Sequence, residues 1–316
     1  MLSSKVYVVT GGNSGLGFET ARRLAKQGNK VIIASRNKTK ANEAIQKIGA
    51  EYPTAKVEFQ FLDLSSIQGS VDAAATIKSS HPRLDCIIAN SGIFAARFET
   101  TTDGYENQFA INHLGHFAFI DTLLPLLEQT ANTHGQARVV IVSSNLHEPK
   151  SKEGIDFENL KPLSGRKDPA NIFGFLKSMD RYNRSKYASI LHAFELDKRL
   201  RQRGIRNVYV NSVHPGIIAD TNLTGGDMRA YLPRWFLPIF LFLNRFFSIS
   251  IEEGAKTQLY LATSPDVVSK EIHGQYWVQS KNGPVKGVVR GRGLDRKLAT
   301  RLWENSEQAV KEHQAS

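Results

Sequence analysis

Short runs of β-branched residues alternate with longer amphipathic stretches from Lys5 to Ser212, and this alternation constrains the fold more than any other feature. Such alternation is typical of repeated βαβ units in a parallel sheet. The predicted strands are Val6–Thr10, Val31–Ser35, Val57–Leu62, Leu84–Ala89, Val139–Ser143 and Val208–Val213, with a further strand near Gln275–Val278. We therefore expect an α/β fold with a doubly wound parallel sheet of about seven strands flanked by helices.

The segments between these strands have the length and pattern of helices. The predicted helices are Leu16–Gln27, Ala41–Glu51, Ser66–Ser79, Tyr105–Glu128, Arg181–Arg203 and Glu253–Ala262. Because no Gly/Ser-rich or Pro-rich linker interrupts the series, we expect residues 1–316 to form a single domain. Residues 145–180 read as a long loop, and long loops in compact domains are often functional.

Composition and cysteine content narrow the class of protein. An apolar fraction of 41% with 22% charged residues is ordinary for a globular chain and excludes wholesale disorder. Cys86 is the only cysteine, so no intramolecular disulfide can form. The chain starts without a basic leader or a long apolar region, and we expect an intracellular, cytoplasmic protein.

The formal net charge of +11 fits three partners: nucleic acid, an anionic membrane surface or an anionic cofactor. Basic residues crowd the segment 284–316, which we expect to be a basic helical extension. Base-stacking aromatic residues do not interleave with them, and this disfavours nucleic acid.

A glycine-rich turn follows the first predicted strand and opens the first predicted helix. Glycines let backbone N–H groups approach a pyrophosphate, and the helix N-terminus favours an anion. The strand, turn and helix context predicts a Rossmann-type dinucleotide site rather than a tight turn without a ligand. The cofactor-binding residues predicted in this turn are Gly11, Asn13, Ser14, Gly15, Leu16 and Gly17.

The end of the second strand indicates which dinucleotide is bound. An acidic residue there hydrogen-bonds the ribose of NAD, whereas this chain has Ser35 and Arg36, which suit the 2′-phosphate of NADP(H). The alternative is that Arg36 is a solvated surface charge. Other residues at predicted strand ends, where a doubly wound sheet binds ligands, are Asp63, Leu64, Asn90, Ser91 and Gly92.

Tyr182 and Lys186 lie four residues apart at the predicted start of a helix and so share one face. A free phenol has a pKa of about 10, and a nearby ammonium group stabilises its phenolate. Ser144, at the end of a predicted strand, can hydrogen-bond a substrate oxygen. A tyrosine and lysine at this spacing also occur by chance on many helices.

Together these motifs resemble the compact members of the short-chain dehydrogenase/reductase family, whose pattern is TGxxxGxG, NAG, N, S and YxxxK. The glycine turn matches, Asn90-Ser91-Gly92 is similar to the NAG element with serine in place of alanine, and Asn112, Ser144, Tyr182 and Lys186 fit the catalytic tetrad. Pro215, Gly216 and Thr221 resemble the family's motif on the nicotinamide side.

The resemblance implies roles for these residues. Tyr182 is implied to be the general acid in reduction and the general base in oxidation, with Lys186 lowering its pKa and binding the nicotinamide ribose. Ser144 is implied to orient the substrate oxygen. Asn112 is implied to bind a water that relays protons through Lys186, while from the residues alone it reads as a helix-bending polar residue.

Within the family, Asp156–Leu160 and Arg301–Glu304 resemble the branch of retinol dehydrogenases, WW-domain oxidoreductase and protochlorophyllide reductase. That branch implies an apolar ketone, aldehyde, retinoid, sterol or lipid-like substrate. The expected activity is that of an NADP(H)-dependent oxidoreductase acting on a CH–OH or carbonyl carbon, and homodimers are implied as well. A non-catalytic NADP(H)-binding scaffold or redox sensor on the same fold is the alternative.

Two further features remain open. His113, His116 and His147 lack partners at metal-ligand spacing, so we expect no metal site.

The segment 217–250 is a substrate lid or a membrane contact. The uninterrupted apolar run in its aromatic part, 231–247, is too short to span a bilayer. That part can also attach peripherally to the endoplasmic reticulum or lipid droplets, or be buried in the core or a subunit contact.

Overall fold

The computed structural model describes residues 4–147, 154–162, 167–218, 231, 248–280, 283–287 and 294–314. In this part of the chain, eight strands form one sheet in the order β3-β2-β1-β4-β5-β6-β7-β8. The strands are β1 (Val6–Thr10), β2 (Lys30–Ser35), β3 (Lys56–Phe61), β4 (Cys86–Ala89), β5 (Ala137–Val142), β6 (Val208–His214), β7 (Gln275–Ser280) and β8 (Gly283–Lys286). The predicted doubly wound α/β fold is confirmed.

The first seven strands run parallel, and β8 pairs with β7 in the antiparallel direction. The sequence prediction of about seven parallel strands missed β8, because its Gly-Pro-Val-Lys sequence carries no run of β-branched residues. Pro284 is compatible with this position, since an edge strand tolerates a residue without an N–H donor. The predicted C-terminal extension is therefore a strand at Gly283–Lys286, and its described helix begins only at Arg296.

Helices cover both faces of the sheet. They are α1 (Gly15–Lys26), α2 (Lys38–Glu51), α3 (Ile67–Ser80), α4 (Asn107–Phe109), α5 (Gly115–His134), α6 (Ile172–Gln202), α7 (Ile251–Thr263), α8 (Asp266–Ser269) and α9 (Arg296–Gln314). One apolar cluster packs α3, α5, α6 and α9 against one face, and a second packs α1, α2 and α7 against the other. Among the described residues, no helix is both long enough and apolar enough to cross a membrane.

Two predicted helices differ from the structure at places that matter for the site. The helix predicted at Tyr105–Glu128 is interrupted by a π-helical turn at Ala110–Leu114, between α4 and α5. Hydrophobic periodicity does not distinguish a π-turn from the α-helix that surrounds it.

The helix predicted at Arg181–Arg203 begins nine residues earlier, at Ile172, so Tyr182 lies within a 31-residue helix and not at its start. The predicted loop 145–180 is correspondingly shorter. Asn171 caps this helix by accepting hydrogen bonds from the N–H groups of Phe173 and Gly174. Gly174 weakened the helical pattern, yet a Cβ there would lie 1.9 Å from the Pro169 carbonyl, so this close approach requires glycine.

Candidate active site

A cavity of about 690 Å³ lies at the carboxyl ends of the strands, beside β1 and β4 where the strand order reverses. Doubly wound sheets bind their ligands at this switch point. The predicted residues that line it are Gly11, Asn13, Ser14, Gly15, Leu16, Gly17, Ser35, Arg36, Asp63, Leu64, Asn90, Ser91, Gly92, Ser144, Tyr182, Lys186, Pro215 and Gly216. Asn112 lies behind the cavity wall, and Thr221 lies outside the described residues.

The glycine turn has the backbone conformations and close contacts that its sequence predicts. Gly11 and Gly15 have φ values of +67° and +52°, which favour glycine. A Cβ on Gly17 would lie 2.3 Å from the Gly11 carbonyl oxygen, whereas the space beside Gly15 is open. Ser14 precedes α1 and makes no capping bond with its side chain. The N–H groups at this helix start, open to the cavity, fit a pyrophosphate group.

Thr10, which the sequence analysis did not assign to the site, ties the glycine turn to the end of β4. Its Oγ1 accepts hydrogen bonds from the N–H groups of Asn90 and Ser91, each at 2.9 Å. The Asn90 side chain donates back to the Thr10 carbonyl at 3.0 Å. The two strand ends are therefore held at a fixed spacing on the cavity floor. The threonine at the start of the glycine motif was the available signal.

The end of β2 carries the residues predicted to select the dinucleotide. Ser35 is buried, and Arg36 is exposed at the cavity rim. Asn37 accepts a hydrogen bond from the Lys40 N–H and so caps α2. Asp63 accepts bonds from the N–H and hydroxyl groups of Ser65 at 3.0 and 2.6 Å. The guanidinium of Arg36 and the hydroxyl groups of Ser35 and Ser65 therefore lie at the end of the cavity remote from Tyr182.

Tyr182 and Ser144 meet at the other end of the cavity. The Ser144 hydroxyl lowers the pKa of Tyr182, but burial outweighs this effect and raises that pKa to about 12. Phe94 packs edge-on against the Tyr182 ring, with centroids 4.7 Å apart. The phenol is therefore protonated and held in one orientation in the free protein.

Lys186 lies one helical turn after Tyr182, with its Nζ 5.8 Å from the centre of the tyrosine ring. It donates a hydrogen bond to the Val142 carbonyl at 3.1 Å, and burial lowers its pKa to about 8. Ser143 holds this part of α6 by donating to the Lys186 carbonyl at 2.7 Å. Ser143 was not among the residues predicted from the sequence, although it adjoins Ser144.

Asn112 occupies the centre of the π-turn, and its side chain is fully engaged. Its Oδ1 accepts from the Ile93 N–H at 2.8 Å, and its Nδ2 donates to the Ile93 carbonyl and to Ser185 Oγ at 3.0 and 2.9 Å. A Cβ on Gly92 would lie 3.1 Å from Asn112 Oδ1 and 3.2 Å from Lys186 Nζ. Glycine at this position therefore lets the asparagine and the lysine approach each other.

Apolar side chains form part of the cavity wall. They belong to Ile93, Phe94, Leu146, Phe175, Met179 and Ile217. None of these residues was predicted from the sequence, because they come from different loops and a helix that share no motif. Apart from Tyr231, the aromatic segment 231–247 predicted as a lid or membrane contact lies outside the described residues.

The three histidines singled out in the sequence are all buried. His113 bonds Ser306 Oγ, His116 bonds Thr10 Oγ1, and His147 Nδ1 lies 2.7 Å from the Ser144 carbonyl. Within the described ranges, no group of three or more His, Cys, Asp or Glu side chains could hold a metal ion.

Comparison with known proteins assigns the family. The model of the short chain dehydrogenase family matches residues 5–155. A WW domain-containing oxidoreductase from Gallus gallus is 36% identical over 315 residues, covering 98% of this chain and 69% of that protein. The chain belongs to the short-chain dehydrogenase/reductase family. Retinol dehydrogenase 14 from Mus musculus is 34% identical over 321 residues, covering 98% of this chain and 87% of that protein.

A solved structure of an uncharacterised protein from Mycobacterium paratuberculosis has the same fold. It superimposes with a TM-score of 0.70 at 30% identity and covers 97% of this chain and 93% of that one. Family membership makes this short-chain dehydrogenase/reductase an oxidoreductase that transfers a hydride between a nicotinamide cofactor and a small molecule. The predicted family and branch are thereby confirmed.

Proposed function

We propose that the protein is an NADP(H)-dependent oxidoreductase that interconverts a carbonyl and an alcohol on a small apolar molecule. The observation that carries this proposal is that Tyr182 and Ser144 line one end of a cavity whose other end carries Arg36, with Ser144 close enough to lower the pKa of Tyr182. An apolar wall and a glycine turn with a helix N-terminus line the space between these ends.

Tyr182 and Ser144 bind the substrate oxygen in this proposal. When bound, the nicotinamide supplies or accepts the hydride. Tyr182 donates its phenolic proton to the substrate oxygen in reduction and takes the proton from the alcohol in oxidation. Ser144 donates a hydrogen bond to the same oxygen and stabilises the charge that develops on it.

Lys186 and Asn112 support this proton transfer. The Lys186 ammonium lies close to the Tyr182 ring and stabilises the phenolate that forms when Tyr182 gives up its proton. Asn112 holds Ile93 and Ser185, which border the loop after β4 and the turn of α6 between Tyr182 and Lys186. Lys186 and Asn112 thereby hold Tyr182 in place relative to the loop after β4, which lines the cofactor site in this proposal.

The choice of NADP(H) rests on Ser35 and Arg36. A guanidinium group binds a phosphate in a bidentate, charge-assisted geometry, and a serine hydroxyl adds a donor. An acidic residue that would bind the NAD ribose is absent at this described strand end. The net charge of +11 also favours the more anionic dinucleotide.

A panel assay tests the function. The purified protein is mixed with NADPH or NADH and a set of apolar aldehydes, ketones and retinoids, and cofactor oxidation is followed by absorbance. We expect turnover of at least one carbonyl compound with a clear preference for NADPH. NADPH binding without any turnover would contradict the enzymatic proposal and favour a nucleotide-binding scaffold. Equal use of NADH would contradict the role of Arg36.

A further inference from the structure

His116 is a buried histidine at the start of α5 that the proposed mechanism does not use. Its Nε2 lies 2.9 Å from the Oγ1 of Thr10, although the two residues are separated by 106 positions in the chain. The ring thus contacts the strand end that carries the glycine turn.

The hydrogen bonds of Thr10 determine the tautomer of the ring. Thr10 Oγ1 already accepts two N–H groups, from Asn90 and Ser91. A hydroxyl oxygen has two acceptor positions and one proton, so Thr10 donates that proton to His116. His116 Nε2 is therefore the acceptor, and a neutral ring must carry its proton on Nδ1.

The opposite side of the ring faces the π-turn. The backbone groups of Asn112 and Ile111 hydrogen-bond to the ring and favour its protonated form, which identifies them as carbonyl acceptors of Nδ1–H. Burial is stronger than this effect and, with the nearby charge of Lys186, lowers the pKa of His116 to about 3. The ring is neutral at physiological pH and bridges two segments of backbone.

We propose that His116 is a positioning residue for the reaction, holding the π-turn that carries Asn112 against Thr10 and the loop Asn90–Gly92. This inference rests on the proposed function. Displacing the π-turn would move Asn112, which holds Ile93 and Ser185, and would change its spacing from Lys186 across Gly92. His116 touches neither the reacting groups nor the cavity surface, and it acts through Asn112.

His113, in the same π-turn, provides an internal contrast. Its Nε2 lies 2.9 Å from Ser306 Oγ, and Ser306 donates its own proton to the Leu302 carbonyl at 2.8 Å. His113 must therefore carry its proton on Nε2 and faces α9. Two histidines three residues apart are expected in opposite tautomers.

The tautomers can be measured without any substrate or cofactor. Nitrogen NMR of the full chain labelled with ¹⁵N-histidine distinguishes Nδ1–H from Nε2–H, and His116→Phe identifies the signal by its loss. We expect His116 as Nδ1–H and His113 as Nε2–H between about pH 6 and 8, without titration. Thr10→Val removes the hydroxyl that donates to Nε2 and should shift the Nε2 resonance, while Thr10→Ser should preserve it. An Nε2–H signal for His116, or titration in this range, would overturn the proposal.

The functional consequence is tested with His116→Phe, which fills the volume but removes both hydrogen bonds. Amide hydrogen exchange at Ile93 and 110–114 should accelerate about tenfold. Turnover should fall about tenfold at nearly constant KM for the carbonyl compound, while the Kd for NADPH changes by less than about twofold. The cofactor affinity survives because Thr10 still accepts both N–H groups. His116→Gln, which keeps a donor and an acceptor, should recover part of the turnover.

His192→Phe is the matched control. His192 is also buried with a pKa lowered to about 3, but its ring packs against Phe117, Trp303 and His113, and it is not part of the cavity lining. Phenylalanine keeps an aromatic ring in these contacts. This replacement should leave exchange at Ile93 and turnover unchanged. Unchanged exchange at Ile93 in a folded His116→Phe protein would overturn the positioning role. If no compound is turned over, the proposed function fails, and the exchange and tautomer data still decide the role of His116.

Discussion

Burial sets the pKa values of Tyr182 and Lys186 at their end of the cavity. Burial raises the pKa of Tyr182 to about 12 and lowers that of Lys186 to about 8, so each is displaced towards its neutral form. The sequence predicted both residues and their shared helix face. It did not predict the values, because these depend on the desolvation that α6, β5 and the loop after β4 produce together.

The Lys186 pKa predicts a pH limit on reduction. Below about pH 8 the lysine is charged and stabilises the Tyr182 phenolate that forms when the proton is given up; above that pH the charge is lost. The value of kcat/KM for NADPH reports the free enzyme and should decline above about pH 8. A rate profile that stays level up to about pH 10 would argue against this role. The Lys186→Met variant should turn over slowly, and its rate profile should lack the decline above about pH 8.

The Arg36 side chain is expected to decide the cofactor preference. Arg36→Ala removes a charge-assisted bond to the 2′-phosphate and should weaken NADPH binding about tenfold to a hundredfold. NADH binding should change little. Titration by cofactor fluorescence measures both affinities, and Lys47→Ala, on the exposed side of α2, serves as the control. Equal losses for both cofactors would show that Arg36 does not contact the phosphate.

Among the elements, the strands and the glycine turn could be predicted well, and the helices around the proposed catalytic residues less well. β1 matches its predicted bounds because its apolar run ends directly at Thr10-Gly11. The π-turn at Ala110–Leu114 and the early start of α6 at Ile172 were missed. Both depend on contacts between residues far apart in the chain, namely Asn112 with Ile93 and Gly174 with the Tyr231 side chain. Local patterns do not contain this information.

The contact between the glycine turn and α1 predicts a steric variant. In Gly17→Ala the new Cβ would meet the Gly11 carbonyl oxygen at 2.3 Å, so the turn must shift and cofactor affinity should fall by more than about tenfold. Gly49→Ala in α2 is the control, because nothing lies within 4 Å of its added Cβ. That variant should bind NADPH normally and gain about 0.5–1 kcal/mol in unfolding free energy. Normal NADPH affinity in Gly17→Ala would disprove a tight turn around the pyrophosphate.

Across the whole molecule, one sheet joins the proposed cofactor-binding and catalytic residues, and the helices on one side enclose buried histidines. The C-terminal helix α9 packs Trp303 against Phe117 and His192, with ring centroids 4.9 and 5.9 Å apart. The sequence marked Trp303 only through a family resemblance, since its partners are far away in the chain. The buried histidines make the stability of the molecule dependent on pH.

The two histidines His116 and His192 predict acid sensitivity. Both have pKa values of about 3 in the folded protein and about 6.5 when unfolded, so the unfolded chain binds more protons between these values. Stability is therefore lost as pH falls through this window, by about 2 kcal/mol for each residue between pH 7 and 5. Urea unfolding at several pH values measures the slope. His192→Phe should reduce the slope by about one proton, and an unaltered slope would contradict its neutral burial.

We propose that Tyr182 supplies the transferred proton and that the site binds the cofactor independently of that proton. The most direct measurement compares NADPH affinity and turnover in wild type, Tyr182→Phe and Tyr260→Phe, the last removing a phenol hydroxyl that bonds Asp266 on α8. We predict that Tyr182→Phe lowers turnover by about a hundredfold or more at nearly unchanged NADPH affinity, while Tyr260→Phe behaves as wild type. Retained turnover in Tyr182→Phe would contradict the account.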